Sequence, residues 1–250
     1  MAIWMDYYTI GIKELDDIIG GLKKGSNILL IGPPMSGKEA ISNHMMYHGV
    51  TENENAVILL TTHEPAIHIL ERFKENKPNV SLSKVGIVDC VSKMLVGEAF
   101  ETENIKIVSN PTDLTGIGVK ISQFFEDFFI KKNIRKIQLY IDSLSTILMY
   151  SNIQTVFRFL HVFTGRIKAA GALGIYVIDS GMHDEHAIAT LKQLCDGMIE
   201  VKSENDRNFI RIVGLLPKPT PWLEFEVDRA NIIVREKHFN SLQIQYKSCI

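Results

Sequence analysis

Between Asn27 and Glu39 the chain reads Asn-Ile-Leu-Leu-Ile-Gly-Pro-Pro-Met-Ser-Gly-Lys-Glu. Gly32, followed after four residues by Gly37 and Lys38, has the spacing of a loop built to hold phosphate. Such a loop turns successive backbone N–H groups towards an anion, and its lysine reaches the outer phosphates. The apolar run Ile28 to Ile31 reads as a buried strand, and Ala40, Ile41, Met45 and Met46 follow at helical spacing. Strand, glycine loop and helix in that order give the pattern its meaning. The residues offered to a nucleotide are Gly32, Pro33, Pro34, Met35, Ser36, Gly37, Lys38 and Glu39, and the implied ligand is ATP with Mg²⁺. Position 39 should carry a hydroxyl for the magnesium ion. It carries a carboxylate.

A second cluster, His183-Asp184-Glu185-His186, holds four residues able to ligate a metal. Adjacent residues at a helix start do not converge on one ion, so the reading is a solvated loop and helix N-terminus, where acidic groups suit the dipole. The cysteines, Cys90, Cys195 and Cys249, are three and have no metal or redox spacing. A reducing, cytoplasmic setting with inert thiols is expected.

The elements that must position the loop alternate along the chain. Ala56–Leu60 reads as a second buried strand, followed by a helix with Ile67, Leu70 and Phe73 that stops near Pro78. Val85–Asp89 is a third strand. The segment 90–111 reads as an irregular excursion with a short strand at Ile105–Val108. From Thr112 a helix carries Val119, Ile121, Phe124, Phe125, Phe128 and Phe129 as a core face and ends at Lys131-Lys132-Asn133. Lys136–Ile141 is a strand ending in Asp142. A helix from about Asn152 to Ala170 leads to strand Ile175–Ser180, then to a helix from Ala187 to Leu194. Short strands at Met198–Val201, Phe209–Val213, Leu223–Val227 and Ile232–Val234 suggest antiparallel hairpins that extend the sheet. The fold class is α/β, a mostly parallel sheet between helices. With no linker or repeat, residues 1–250 are expected to form one domain, with 236–250 a tail or an edge strand.

Composition narrows the partners. Of 250 residues, 46% are hydrophobic and 22% charged, which is ordinary for a globular protein. The net charge of −2 does not support a DNA-binding surface. No apolar run approaches the ~20 residues of a membrane span, and Asp6 interrupts the start too early for a signal peptide.

The order of features resembles the RecA superfamily, specifically its archaeal KaiC-like and RadA-like branch. Three stretches carry the likeness. One is the approach from Thr9 to Ser26 with the loop that follows. Another is Asp142-Ser143-Leu144-Ser145 after an apolar strand, similar to a Walker B segment. The third is Cys195-Asp196-Gly197-Met198-Ile199 with the hairpin strands around Phe225-Glu226-Val227 and Ile232-Ile233-Val234. The resemblance implies a three-layer P-loop core and assembly as a homo-oligomer. It implies that Lys38 meets the β- and γ-phosphates, that Asp142 orients Mg²⁺, and that Glu64 stands in a catalytic acidic pair polarising the attacking water.

Four departures accompany the likeness. Met35 stands where the family usually has glycine, which takes φ > 0 freely while methionine does so with strain, so a changed loop shape is expected. Glu39 about 4 Å from a phosphate charge would be repelled by about 4 kcal/mol at an effective dielectric of 20, unless it turns outward or binds Mg²⁺ itself. His63 replaces one member of the acidic pair, and Gly214 and Leu216 stand where the family reaches into a neighbouring subunit's nucleotide with a lysine and an arginine. Lys218 lies near, clamped by Pro217 and Pro219. The expectation is a degenerate, weakly nucleotide-binding or non-hydrolysing module that acts through a protein or peptide partner. The alternative is an active RecA-like ATPase.

Overall fold

The computed structural model describes residues 7–76, 80–97 and 99–235. In chain order the elements are β1 (Tyr7–Tyr8), α1 (Lys13–Ile19), β2 (Leu22–Lys23), β3 (Asn27–Gly32), α2 (Lys38–Thr51), β4 (Ala56–Thr61), α3 (Ala66–Asn76), β5 (Val85–Asp89), α4 (Ser92–Val96) and β6 (Ile105–Ile107). They continue with α5 (Leu114–Glu126), β7 (Ile137–Asp142), α6 (Leu144–Tyr150), α7 (Ile153–Ala170), β8 (Leu173–Asp179), α8 (Glu185–Lys192), β9 (Gly197–Glu204), β10 (Arg207–Val213), β11 (Leu223–Asp228) and β12 (Asn231–Val234).

Ten strands form one sheet in the order β12-β11-β10-β9-β3-β8-β7-β4-β5-β6. From β9 to β6 every pairing is parallel, and β10, β11 and β12 add on as antiparallel neighbours. The α/β class with C-terminal antiparallel strands is thus as the sequence indicated. β3 and β4 are buried at every position, because helices cover both faces of a parallel sheet and leave no side for polar residues. Alternate residues divide between two cores. Ile28 and Leu30 belong to one core together with Ile41 and Met45 of α2 and Phe73 of α3. Leu29 and Ile31 belong to the other, with Phe124 of α5, Ile147 of α6 and Leu160 of α7.

The sequence reading missed several short elements. The segment read as irregular from 90 to 111 contains α4 as well as β6. α1, the small β1–β2 ribbon and α6 went unseen, since helices of seven residues show barely two turns of periodicity. Val119, placed on the aromatic core face, is exposed, whereas Phe124 and Phe128 are buried. A π-helical turn, Asp127–Lys131, prolongs α5, and Asn133 beyond it takes φ +52. The tail at 236–250 and the stop near Pro78 fall outside the described residues.

The amino end of the parallel sheet is tied by a buried polar network around Asn27. Its backbone N–H donates to Asp196 Oδ2 at 2.8 Å, and the Asp196 N–H donates back to the Asn27 carbonyl at 2.7 Å. The Tyr176 hydroxyl donates to Asn27 Oδ1 at 2.7 Å. At the other end, buried Asp89 accepts from the N–H groups of Ala66, Val91 and Ser92 and from the Ser92 hydroxyl. One carboxylate so holds the starts of α3 and α4, whose first N–H groups lack helical partners.

Candidate functional site

The glycine loop leaves β3 at the carboxyl edge of the sheet, where the crevice of an open α/β fold lies. Gly32 is required there: a Cβ would stand 2.8 Å from Ser36 Oγ and 2.9 Å from the Val201 carbonyl. Gly37 caps α2 with φ +85, and a Cβ on it would meet the Phe225 ring at 3.2 Å. The C-terminal hairpins therefore close directly on the loop. Met35 takes φ +60 and leaves its side chain 92% exposed, so the loop keeps a left-handed residue at this position at a steric cost. The Ser36 N–H donates to the Pro33 carbonyl at 3.3 Å, and Ser36 Oγ is buried without a hydrogen-bond partner.

Lys38 is only 1% exposed, and its ammonium is fully engaged within the protein. Nζ lies 2.5 Å from Glu39 Oε1, 2.6 Å from Asp179 Oδ1 and 3.3 Å from the Pro33 carbonyl. Burial works against the charge, but the hydrogen bonds and fields of Asp179 and Glu39 outweigh it and hold the Lys38 pKa above its usual value. Glu39, 48% exposed, neither turns away nor stands apart as a metal ligand; it folds onto its neighbour in the chain. Asp179 was not singled out in the sequence. It ends β8 opposite Gly32 in register, and its backbone N–H donates to Ser145 Oγ at 2.8 Å. The available signal was a carboxylate closing the strand beside the loop strand.

Asp142 closes β7 beside β8 and faces the same group of charges. Burial is the main cause of its raised pKa; Glu39 and Asp179 push the same way, while His63 and Lys38 oppose it. His63 Nε2 stands 3.7 Å from Asp142 Oδ2. The Asp142 carbonyl accepts from both the N–H and the hydroxyl of Thr62, which laces the end of β7 to β4. Glu64, on the loop after β4, is gripped by Arg72 of α3, with Nη1–Oε1 at 3.0 Å and Nη2–Oε2 at 2.5 Å. Lys38, Glu39, Asp142 and Asp179 are therefore gathered at one point, and Glu64 is turned into a separate ion pair.

Elsewhere the picture is simpler. Gly214 takes φ +86 after β10, and Thr220 closes that loop by hydrogen bonding to both backbone groups of Ile212. Asp184 caps α8 by accepting from the Ala187 N–H at 2.6 Å. Among the described residues, no three or more His, Cys, Asp and Glu side chains are placed to hold a metal ion. Burial pushes the Cys90 and Cys195 thiols up to about 12, which keeps them protonated. No described helix is long and apolar enough to cross a membrane.

Fold and loop together define a RecA-like, KaiC-like α/β architecture. The chain belongs to a family of unknown function, DUF7504, whose profile matches residues 25–201. Among solved structures it is similar to a KaiC-like protein, PH0186, from the hyperthermophilic archaeon Pyrococcus horikoshii OT3. That match has 17% identity and a TM-score of 0.67, covering 92% of this chain and 98% of the other. It is also similar to an uncharacterized protein, PH0321, from Pyrococcus horikoshii, solved in complex with an unknown peptide. There the identity is 18% and the TM-score 0.66, covering 91% of this chain and 98% of that one. At such identities the likeness speaks for the fold. No curated protein matches the chain.

Proposed function

We propose that this chain is a degenerate KaiC-like module that binds nucleotide weakly, does not hydrolyse it, and acts by binding a protein or peptide. The observation that carries the reading is the engagement of Lys38 by Glu39 and Asp179. A triphosphate needs cations and free N–H donors at this point, and here the ammonium already has two carboxylates of its own chain. As arranged, the site does not fit ATP with Mg²⁺. A phosphate would have to displace both carboxylates and then sit about 4 Å from their charge, at about 4 kcal/mol for each fully felt contact. Asp142 keeps the place of a magnesium-orienting residue, but its charged form is disfavoured. Glu64, the candidate for polarising water, has both oxygens committed to Arg72. That the similar protein PH0321 was solved with a peptide supports a partner of that kind.

Titration calorimetry with Mg-ATP and a phosphate-release assay test this reading on the native chain, Glu39→Thr and Glu39→Thr/Asp179→Asn. The expected result is no turnover in any of them, with affinity rising at least about a hundredfold in the double variant as two repulsive charges leave. Micromolar Mg-ATP binding with turnover by the native chain would establish the active-ATPase alternative instead.

A further inference from the structure

His44, near the middle of α2, is half-buried, and both of its ring nitrogens meet backbone carbonyls. Nε2 stands 2.9 Å from the Gly11 oxygen, and Nδ1 stands 3.2 Å from the Ala230 oxygen. Gly11 belongs to the approach before α1, and Ala230 to the turn between β11 and β12. One side chain thus joins α2 to two segments remote from it in the chain. A carbonyl oxygen only accepts. A neutral imidazole has one N–H and one lone pair, so it serves one carbonyl and turns its lone pair on the other. The imidazolium donates to both.

Three elements bring charge to this ring. From α1, the Asp16 carboxylate accepts from the Ile10 and Gly11 N–H groups at 2.8 and 2.9 Å and attracts an imidazolium. Burial raises the Asp16 pKa, while those two backbone bonds and then His44 pull it back. On α2 itself, His48 stacks on His44 with ring centres 6.3 Å apart, and Tyr47 and Glu52 share with both rings a cavity of about 160 Å³. The turn carries Asp228 and Arg229 just before Ala230. His48 is served differently. Its Nε2 lies 2.9 Å from Thr9 Oγ1, a hydroxyl that donates as readily as it accepts, and Asn53 Nδ2 donates to the same oxygen. The neutral His48 ring is satisfied at that nitrogen, and two stacked imidazoliums would repel, so the geometry leaves the proton with His44.

We propose that His44 is a pH-sensitive latch: protonated, it fastens the β11–β12 turn and the approach loop to α2, and deprotonated, it lets the turn go. The sign follows from the donors. The second bond exists only in the folded chain, so folding and protonation of this ring favour one another. The latch is closed in mild acid and opens as pH rises through the range in which histidine titrates. The turn is the side that yields, because its bond is the longer and Asp16 holds Gly11 in place. β12 packs on α2, and Phe225 of β11 lies against Gly37, so release loosens the hairpin that closes on the glycine loop. The latch is independent of whether that loop binds nucleotide.

The test follows amide hydrogen exchange of the full chain at about pH 5.5 and 8, each rate divided by that of an unstructured peptide at the same pH. In the native chain, protection of Asn231–Val234 should fall at least about tenfold from the lower pH to the higher, the worth of one hydrogen bond from a charged donor. In His44→Gln the two conditions should give equal protection, whereas His48→Gln should behave as the native chain does. Equal protection at both pH values in the native chain overturns the latch. So does a pH dependence that survives in His44→Gln or vanishes in His48→Gln. Histidine ring NMR on the native chain covers a His44→Gln variant that fails to fold. An imidazolium near the lower pH with both ring N–H protons shielded from exchange supports the latch, and the lack of such a ring overturns it.

Discussion

Lys38 Nζ and Asp179 Oδ1 lie 2.6 Å apart, joining the first residue of α2 to the last of β8. Two strands' carboxyl ends are thereby bridged by an ammonium that the sequence assigns to phosphate. The bridge is internal and nearly dry on the lysine side, so its rupture is measurable as stability.

Lys38→Met should destabilise the chain by about 2 kcal/mol. Removing one partner of a buried pair leaves the other charge uncompensated at about 3–5 kcal/mol, reduced here because Glu39 is half exposed and Asp179 keeps some solvent. Thermal melts should fall by roughly 4–8 °C for a chain of this size. An unchanged melting point would show that the carboxylates gain nothing from the lysine.

Asp142→Asn should stabilise the protein at neutral pH and not in acid. Burial above all raises this carboxyl from its ordinary 3.8, so the folded chain keeps the proton to higher pH than the unfolded chain does. Stability from the protonated form is present at low pH and is lost as pH climbs through the raised value. Asparagine cannot ionise and avoids that loss. Urea midpoints of the two chains, compared at intervals from about pH 4 to 7, should diverge as pH rises. Parallel curves would place the Asp142 carboxyl at its ordinary value.

Met35→Gly should raise stability by about 1 kcal/mol. A left-handed non-glycine residue costs about 1–2 kcal/mol, and the extra unfolded-state freedom of glycine takes back part of the gain. The exposed methionine side chain buries nothing that would be lost. Met35→Ala, which keeps the Cβ, should show no such gain in the same denaturation series.

Asp89→Ala should cost about 3 kcal/mol or more. Three backbone N–H groups and the Ser92 hydroxyl lose their acceptor within a buried setting, and each orphaned donor carries a desolvation penalty of about 1–3 kcal/mol. Asp89→Asn retains an acceptor oxygen and should lose less. Ser92→Ala removes one bond of the four and should cost below about 1 kcal/mol if the carboxylate itself is the fastening.

Much of the architecture was legible because strands buried on both faces are continuous apolar runs. Asn27–Gly32, Ala56–Thr61 and Ile137–Asp142 announce themselves that way, and the glycine loop fixes which one carries the site. α1, α4 and α6 are too short for a periodic signal, and their faces are decided by tertiary packing. The candidate site was legible only along the chain. Lys38, Glu39 and Asp142 were visible as types at positions, but the bridge to Asp179 spans well over a hundred residues and depends on β3 and β8 being neighbours. The pairing of Glu64 with Arg72 was missed for a related reason: it depends on where α3 begins, and Asp89 of a different strand sets that.

β3 is fastened at both ends to the same surroundings. At Asn27 it is bonded to Tyr176 of β8 and to Asp196 at the threshold of β9; beyond its other end, Lys38 is bonded to Asp179 of β8. A strand fixed at two points between two fixed neighbours has no local route to opening. Its amides should exchange with deuterium only when the whole sheet comes apart, which places the glycine loop on the last cooperative unit to unfold.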